Sequence, residues 1–253
     1  MTRKQDLVRR LQDGSVTALL FDLDGVLTPT IDLHKAAWAD LFTPFLSSRG
    51  AEPYTEADYH AHVDGKARMD GVASVLASRG IALPLGGPDQ SAEGADTVWS
   101  LAEEKNAAFS RILQEQGINP YPGSAAFLRW VSRFPDVKRA VVSSSKNAAT
   151  VLQMSGLARY FPVVVDGTFA AEEGLEGKPS PETYLKAAEL LGSRPEQAVV
   201  FEDALAGVAA GRAGNFGRVI GVDRGVGASA LTESGADFTV EDLEELIPSG
   251  FKQ

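Results

Sequence analysis

The spacing of its β-branched apolar runs constrains this chain more than any other feature. TALLFDL (17–23), KRAVVSS (138–144), FPVVVDG (161–167), QAVVFED (197–203) and RVIGVD (218–223) have the length and content of buried parallel strands, with DFTV (237–240) a weaker sixth. Helical patterns separate the later runs: AATVLQMSGLARYF, PETYLKAAELLG and ALAGVAAGRAG. Strand alternating with helix at this spacing gives a doubly wound α/β sheet. The interval between the first and second runs is different. It carries HKAAWADLFTPFLSSRG, MDGVASVLASRG and ADTVWSLAEEKNAAFSRILQEQG, all helical patterns, and no comparable strand. A structureless loop of that length is foreign to a compact domain. The sequence therefore predicts an α/β domain of residues 1–33 and 118–253, Rossmann-like in its parallel sheet, with a helical domain, 34–117, inserted after the first strand. LPLGGPDQSAEG (83–94) reads as a loop within the insert, and INPYPG (118–123) marks the return to the sheet domain.

Composition narrows the chemistry. With 253 residues, 44% hydrophobic and 23% charged, the chain can build a core that needs no staples. It has no cysteine, so neither a disulfide framework nor a thiolate metal site is available. MTRKQDLVRRLQDG reads as a charged amphipathic helix rather than a secretion signal, and no apolar run has the length to cross a bilayer. The expectation is a soluble, cytoplasmic protein. A net charge of -10 opposes nucleic acid as a partner and repels phosphate esters at long range. A phosphorylated substrate must then be held by a few locally placed cations and a metal.

Ligands of open α/β sheets sit beyond the C-terminal strand ends, and the polar residues fall there. The first strand ends in Asp22-Leu23-Asp24-Gly25 and the second in Ser143-Ser144-Ser145-Lys146-Asn147. Lys178 follows the third, in GKPSPE, and Glu202-Asp203 ends the fourth. Asp22 and Asp24, two apart on an extended segment, can face the same way, and Gly25 permits a tight departure of the backbone. Carboxylates so grouped, with Glu202 and Asp203 opposite, repel unless a cation lies among them. An oxygen-only set favours magnesium. A carboxylate kept ionised there can attack phosphorus and form an aspartyl-phosphate, while the second aspartate exchanges a proton with the departing or arriving oxygen. Ser143 can hydrogen-bond a phosphoryl oxygen, and Lys178 can offset the gathered negative charge. Singly, these motifs read as a turn, a helix cap and a solvated lysine. Their joint placement at successive strand ends sets them apart.

In order, FDLDGVLT, VVSSSKN, GKPSPE and VVFEDALAG resemble the motifs of the haloacid dehalogenase superfamily, and the likeness spans the whole chain, inserted helical cap included. It implies that Asp22 is the nucleophile and Asp24 the general acid/base. It also implies that magnesium is held by Asp22, the backbone carbonyl of Asp24, Asp203 and Glu202. Further residues resemble the β-phosphoglucomutase branch, whose reaction takes β-glucose 1-phosphate to glucose 6-phosphate through a bisphosphate. That chemistry needs a second phosphate pocket and a site closed to water. Ser145, Lys146 and Asn147 would sit at the mouth of a helix, where N–H groups favour an anion. VDGKARMDG (63–71) resembles the loop that supplies an arginine to the distal phosphate, here Arg68, whose planar fork suits phosphate oxygens. LAEEKNAAF (101–109) resembles the segment that places Lys105 and Asn106 over the sugar, and His34, in DLHKAAW, takes the place of a hinge histidine coupled to the acid/base aspartate.

One departure stands out: Thr28-Pro29-Thr30 replaces the branch's TDT or SDT run, fixing the backbone and removing an N–H while leaving Thr30 available to the proximal loop. His60 and His62 read as solvated or structural, and Trp38 as core of the insert. GRAGNFG (211–217) follows a helix and precedes a strand, the reverse of dinucleotide-binding order, so it reads as a helix-ending turn. The expected activity is that of a β-phosphoglucomutase. A sugar-phosphate phosphatase is the alternative, and an accessory protein that keeps only the fold is disfavoured by the intact Asp22, Asp24, Lys178 and Asp203. The expected partner is a small phosphorylated sugar, with no nucleic acid, no membrane and a monomeric state.

Overall fold

A computed structural model describes residues 3–88 and 96–249 of the chain. The predicted loop at 83–94 is therefore described only as far as Pro88; its remainder lies outside the described residues. The chain divides into two compact units, Met1–Pro29 with Ile118–Gln253, and Thr30–Gly117. The division falls ahead of His34 because a helix already starts at Ile31, with Thr30 at its N-cap.

In chain order, α1 (Arg3–Gln12) leads into β1 (Ala18–Phe21), and α1 buries Leu7 and Leu11. The inserted unit then supplies α2 (Ile31–Ser48), the single turn α3 (Glu56–Asp58), α4 (Arg68–Ser78) and α5 (Val98–Gln116). The return adds α6 (Pro122–Val131), β2 (Lys138–Val142), α7 (Ala148–Met154) and β3 (Val163–Val165). After these come α8 (Gly167–Glu173), α9 (Glu182–Leu190), β4 (Ala198–Glu202) and α10 (Leu205–Ala213). The last elements are β5 (Arg218–Val222), α11 (Ala228–Glu233) and β6 (Phe238–Val240).

All six expected runs form strands of one parallel sheet, ordered β3-β2-β1-β4-β5-β6. At its centre Ala18 lies opposite Lys138 and Ala198, and Phe21 opposite Val141 and Phe201. Alternate residues feed two cores. On one face Leu20, Val142 and Val200 pack with Tyr184, Ala187 and Val208 from α9 and α10. On the other, Phe21 stacks on Phe201 at 4.6 Å between ring centroids, and Phe127 of α6 meets both edge-on. Burial on both faces is why these strands read as continuous apolar runs instead of alternating ones. Strand order reverses at β1, with β2 and β3 on one side and β4 to β6 on the other. A sheet of this kind has its ligand crevice at such a reversal, outside the C-terminal end of the strands.

In the helical unit, α2, α4 and α5 close over Trp38, Phe42, Leu46, Val72, Val75, Leu76 and Leu101. Trp38 stacks on Phe42 at 5.5 Å, as a core residue should. A π-helical turn at Tyr59–Val63 follows α3, and Arg79 anchors the region by donating to both oxygens of Asp58 at 2.7 Å. His60 lies 3.2 Å from Asp64 Oδ2 and His62 lies 3.0 Å from Ser74 Oγ, both structural contacts. GRAGNFG does end a helix: α10 stops at Ala213, Gly214 caps it, and Asn215 takes a φ of 54°. Among the described residues, no helix is long and apolar enough to cross a membrane.

Candidate active site

The residues that follow β1 and β4 meet at the reversal point. Asp22 comes directly after Phe21, and its N–H donates to Phe201 O at 2.9 Å, which extends the β1–β4 ladder by one rung. Glu202 is the last residue of β4, and Asp203 follows it. All three carboxylates are buried. Gly207, one turn into α10, makes room for this arrangement, since a Cβ there would lie 1.7 Å from Glu202 Oε1.

Lys178 is the hub of the cluster. Its Nζ donates to Asp22 Oδ1 at 2.5 Å, Glu202 Oε1 at 2.5 Å and the carbonyl of Val142 at 3.1 Å. Three acceptors match the three protons of an ammonium group. Burial works to lower the Lys178 pKa, but Asp22 and Glu202 together hold it raised. For Asp22, burial dominates and pushes the carboxyl well above the ordinary 3.8, with Lys178 pulling the other way. Glu202 is fully engaged: Oε1 accepts from Lys178 and from the Tyr184 hydroxyl at 3.0 Å, while Oε2 accepts from the N–H groups of Asp203 and Ala204 at 3.0 and 3.1 Å. Tyr184 also presents its ring to Lys178, 5.1 Å from Nζ. Sequence reasoning missed Tyr184. It sits six residues past Lys178 on α9, and nothing in that spacing announces a contact with β4.

Asp24 lies at the edge of this cluster, partly buried, with Oδ2 accepting from Ser143 Oγ at 3.2 Å. Gly25 follows at a φ of 91°, which an L side chain rarely adopts. Ser143 Oγ accepts from Ser145 N, and Ser145 Oγ from Asn147 N, so the residues after β2 form a tight chain of turns. Asn147 is the N-cap of α7, and Lys146 is exposed beside it. The sheet unit therefore brings together Asp22, Asp24, Ser143, Lys178, Glu202 and Asp203.

Asp22, Glu202 and Asp203 offer oxygen atoms that lie within 4.8 Å of one another. Three buried carboxylates against one ammonium leave excess negative charge, and the donors are oxygens only. That set fits a hard divalent cation.

In the helical unit the expected binding residues have partners of their own. Arg68 opens α4 and donates to Glu103 Oε1 at 2.7 Å, while its Nε is buried with no hydrogen-bond partner among the described residues. Burial lowers the Arg68 pKa and Glu103 opposes that shift. Lys105 is buried in α5, with Nζ 2.6 Å from His34 Nδ1 and 5.0 Å from the Trp38 and Phe109 ring centres. His34 stacks on Phe109 at 4.2 Å. Which of the two groups donates in this contact depends on the imidazole tautomer. Asn106 is half-buried on the same helix, and Thr30 is buried at the start of α2.

Comparison with known proteins follows the same lines. The family profile of haloacid dehalogenase-like hydrolases matches residues 16–215. A β-phosphoglucomutase of Mycobacterium tuberculosis is 46% identical over 242 residues, 92% of either chain. A phosphorylated carbohydrates phosphatase of Thermotoga maritima is 31% identical, covering 90% of this chain and 96% of its own. Among solved structures, β-phosphoglucomutase from Clostridium difficile superposes with a TM-score of 0.73 at 25% identity, over 91% of this chain and 93% of that one.

Proposed function

Because the chain belongs to the haloacid dehalogenase-like hydrolase family, we propose that it is a β-phosphoglucomutase, moving a phosphoryl group through an aspartyl-phosphate on Asp22. The observation that carries the chemistry is the buried Asp22–Lys178–Glu202 cluster beside Asp203. In this reading Asp22 attacks the C1 phosphate of a hexose 1,6-bisphosphate. The P–O bond to C1 breaks, the C1 oxygen takes a proton from Asp24, and glucose 6-phosphate departs. The 6-hydroxyl of incoming β-glucose 1-phosphate then returns a proton to Asp24 as it attacks the aspartyl-phosphate, regenerating bisphosphate and free Asp22. Ser143 donates to a transferring phosphoryl oxygen, and Lys178 offsets the charge shared by Asp22 and that group.

Magnesium is the proposed cofactor, held by Asp22, Asp203 and the backbone carbonyl of Asp24; when bound it supplies positive charge to the phosphoryl oxygens. Glu202 completes the charge of this set. Its two oxygens already accept four hydrogen bonds, the full capacity of a carboxylate, so its part is to hold Lys178 and the start of α10 in place. Arg68 is proposed for the distal phosphate, together with Ser145, Lys146 and Asn147. Lys105, Asn106 and Thr30 are proposed for the sugar and His34 for the setting of Asp24.

Pure protein given β-glucose 1-phosphate, magnesium and a trace of bisphosphate is expected to yield glucose 6-phosphate, and Asp22→Asn to yield none. The likeness to the Thermotoga maritima phosphatase favours a second reading, hydrolysis through the same aspartyl-phosphate. Inorganic phosphate as the main product would establish that reading and sink the first.

A further inference from the structure

The turn behind Asp24 is tied down from outside, carbonyl by carbonyl. Gly25 O accepts from Arg224 Nε at 2.8 Å, Val26 O from Ser124 Oγ at 2.7 Å, and Leu27 O from the Tyr121 N–H at 3.0 Å. The turn also closes on itself, with Gly25 N donating to Thr28 O and the N–H groups of Leu27 and Thr28 both donating to Leu23 O. Of the three external ties, the one next to Asp24 comes from a charged side chain.

Arg224 is itself clamped. Its guanidinium lies over the Tyr121 ring, 3.8 Å from the centroid. Its Nη1 donates to Glu241 O at 2.7 Å, and its Nη2 lies 3.5 Å from Asp242 Oδ2. A guanidinium fixed on a ring face and at two edges cannot drift, and its planar fork delivers Nε to one place. Arg224 follows β5, and Tyr121 and Ser124 lie at the start of α6, so two separated stretches of sequence converge on one turn.

From this geometry we infer that Arg224, seated on Tyr121, is a positioning residue for Asp24. It acts through Gly25 O, next in the chain to Asp24, and its other partners are Tyr121, Glu241 and Asp242, none of them in the cluster around Lys178. The inference rests on the reading of Asp24 as general acid. A displaced general acid hurts only reactions whose leaving group needs a proton. A shift of about 1 Å in a catalytic group can cost on the order of 100-fold.

Two substrates separate the possibilities. Single-turnover phosphorylation of Asp22 is followed with β-glucose 1,6-bisphosphate, whose alkoxide must be protonated, and with p-nitrophenyl phosphate, whose phenolate leaves without a proton. Arg224→Ala is expected to slow the sugar reaction roughly 10- to 100-fold and the p-nitrophenolate burst by less than about threefold. Tyr121→Leu keeps the backbone N–H to Leu27 O but removes the ring under Arg224, and should show the same selectivity at smaller amplitude. Asp24→Asn is the reference. If it slows both substrates alike, the reading of Asp24 is wrong. If it is selective while Arg224→Ala and Tyr121→Leu slow both substrates alike, or neither, the role given to Arg224 is wrong.

Discussion

Replacing Lys178 with methionine tests the electrostatics of the cluster more directly than any loss of activity. Methionine keeps an unbranched apolar stem of similar reach and removes the ammonium that lies 2.5 Å from both Asp22 and Glu202. Glu202 retains Tyr184 and two backbone N–H groups, so the loss falls mainly on Asp22. Breaking a buried pair by removing one partner costs about 3–5 kcal/mol, because the other charge stays buried. The sign of the pH dependence follows from Asp22, whose carboxyl burial already raises above 3.8 against the pull of Lys178. Without Lys178 it rises further. A group whose folded pKa exceeds its unfolded value stabilises the native state below the unfolded value, and that stability is lost as pH rises through the folded one. Urea denaturation in chelator should therefore show the smaller deficit for the variant at acid pH, where Asp22 is protonated in both proteins, and a deficit growing toward about 3–5 kcal/mol as pH rises through the parent's raised Asp22 pKa. Magnesium at about 100 times its dissociation constant should restore about 2.7 kcal/mol. A variant as stable as the parent in chelator at alkaline pH, or a deficit that shrinks as pH rises, would refute this account of what Lys178 does.

Two further predictions concern the helical unit. Glu103→Gln removes the charge that occupies Arg68, so the KM for bisphosphate should fall about fivefold, equivalent to about 1 kcal/mol for a partly exposed pair, with the rate of Asp22 phosphorylation at saturation unchanged; an unchanged or higher KM counts against Arg68 as a phosphate ligand. Asp58, held down at about 2 chiefly by hydrogen bonds from Arg79, stabilises the fold above its ordinary 3.8 and ceases to do so as pH falls toward 2. Asp58→Asn should thus cost about 1.5–3 kcal/mol in a neutral urea melt, and the gap to the parent should close in acid.

What could be read from the sequence depended on how each segment is buried. The strands were visible because both faces of β1, of β4 and of the second half of β2 are covered, so ALLF, AVVF and AVV form apolar runs. The residues at their ends were visible because strand order brings Asp22, Ser143 and Glu202 to one edge, whereas Lys178 reaches it from the loop between α8 and α9. Helix α8 left no trace because none of its residues is buried and its start depends on one Asp166 side chain capping Thr168 and Phe169. The π-helical turn at Tyr59–Val63 has no sequence pattern of its own. Contacts made by side chains across the fold were the hardest to foresee. Tyr184 on Glu202, Glu103 on Arg68 and Arg224 on Gly25 O join residues 18, 35 and 199 positions apart, and each is set by packing of whole elements.

The choice between mutase and phosphatase turns on the last kind of contact. Transfer to a sugar hydroxyl and transfer to water use the same Asp22, Asp24 and Lys178, so nothing in that cluster separates them. In the proposed reading the difference lies in the exclusion of water and in groups that serve a second phosphate. Arg68 is half-buried, with Nη2 on Glu103 and its buried Nε without a partner among the described residues. Leaving a buried donor unsatisfied costs about 1–3 kcal/mol, a cost that a phosphate oxygen on that edge would relieve. An enzyme that must hold a bisphosphate by either end has a direct use for that donor, which favours the proposed mutase.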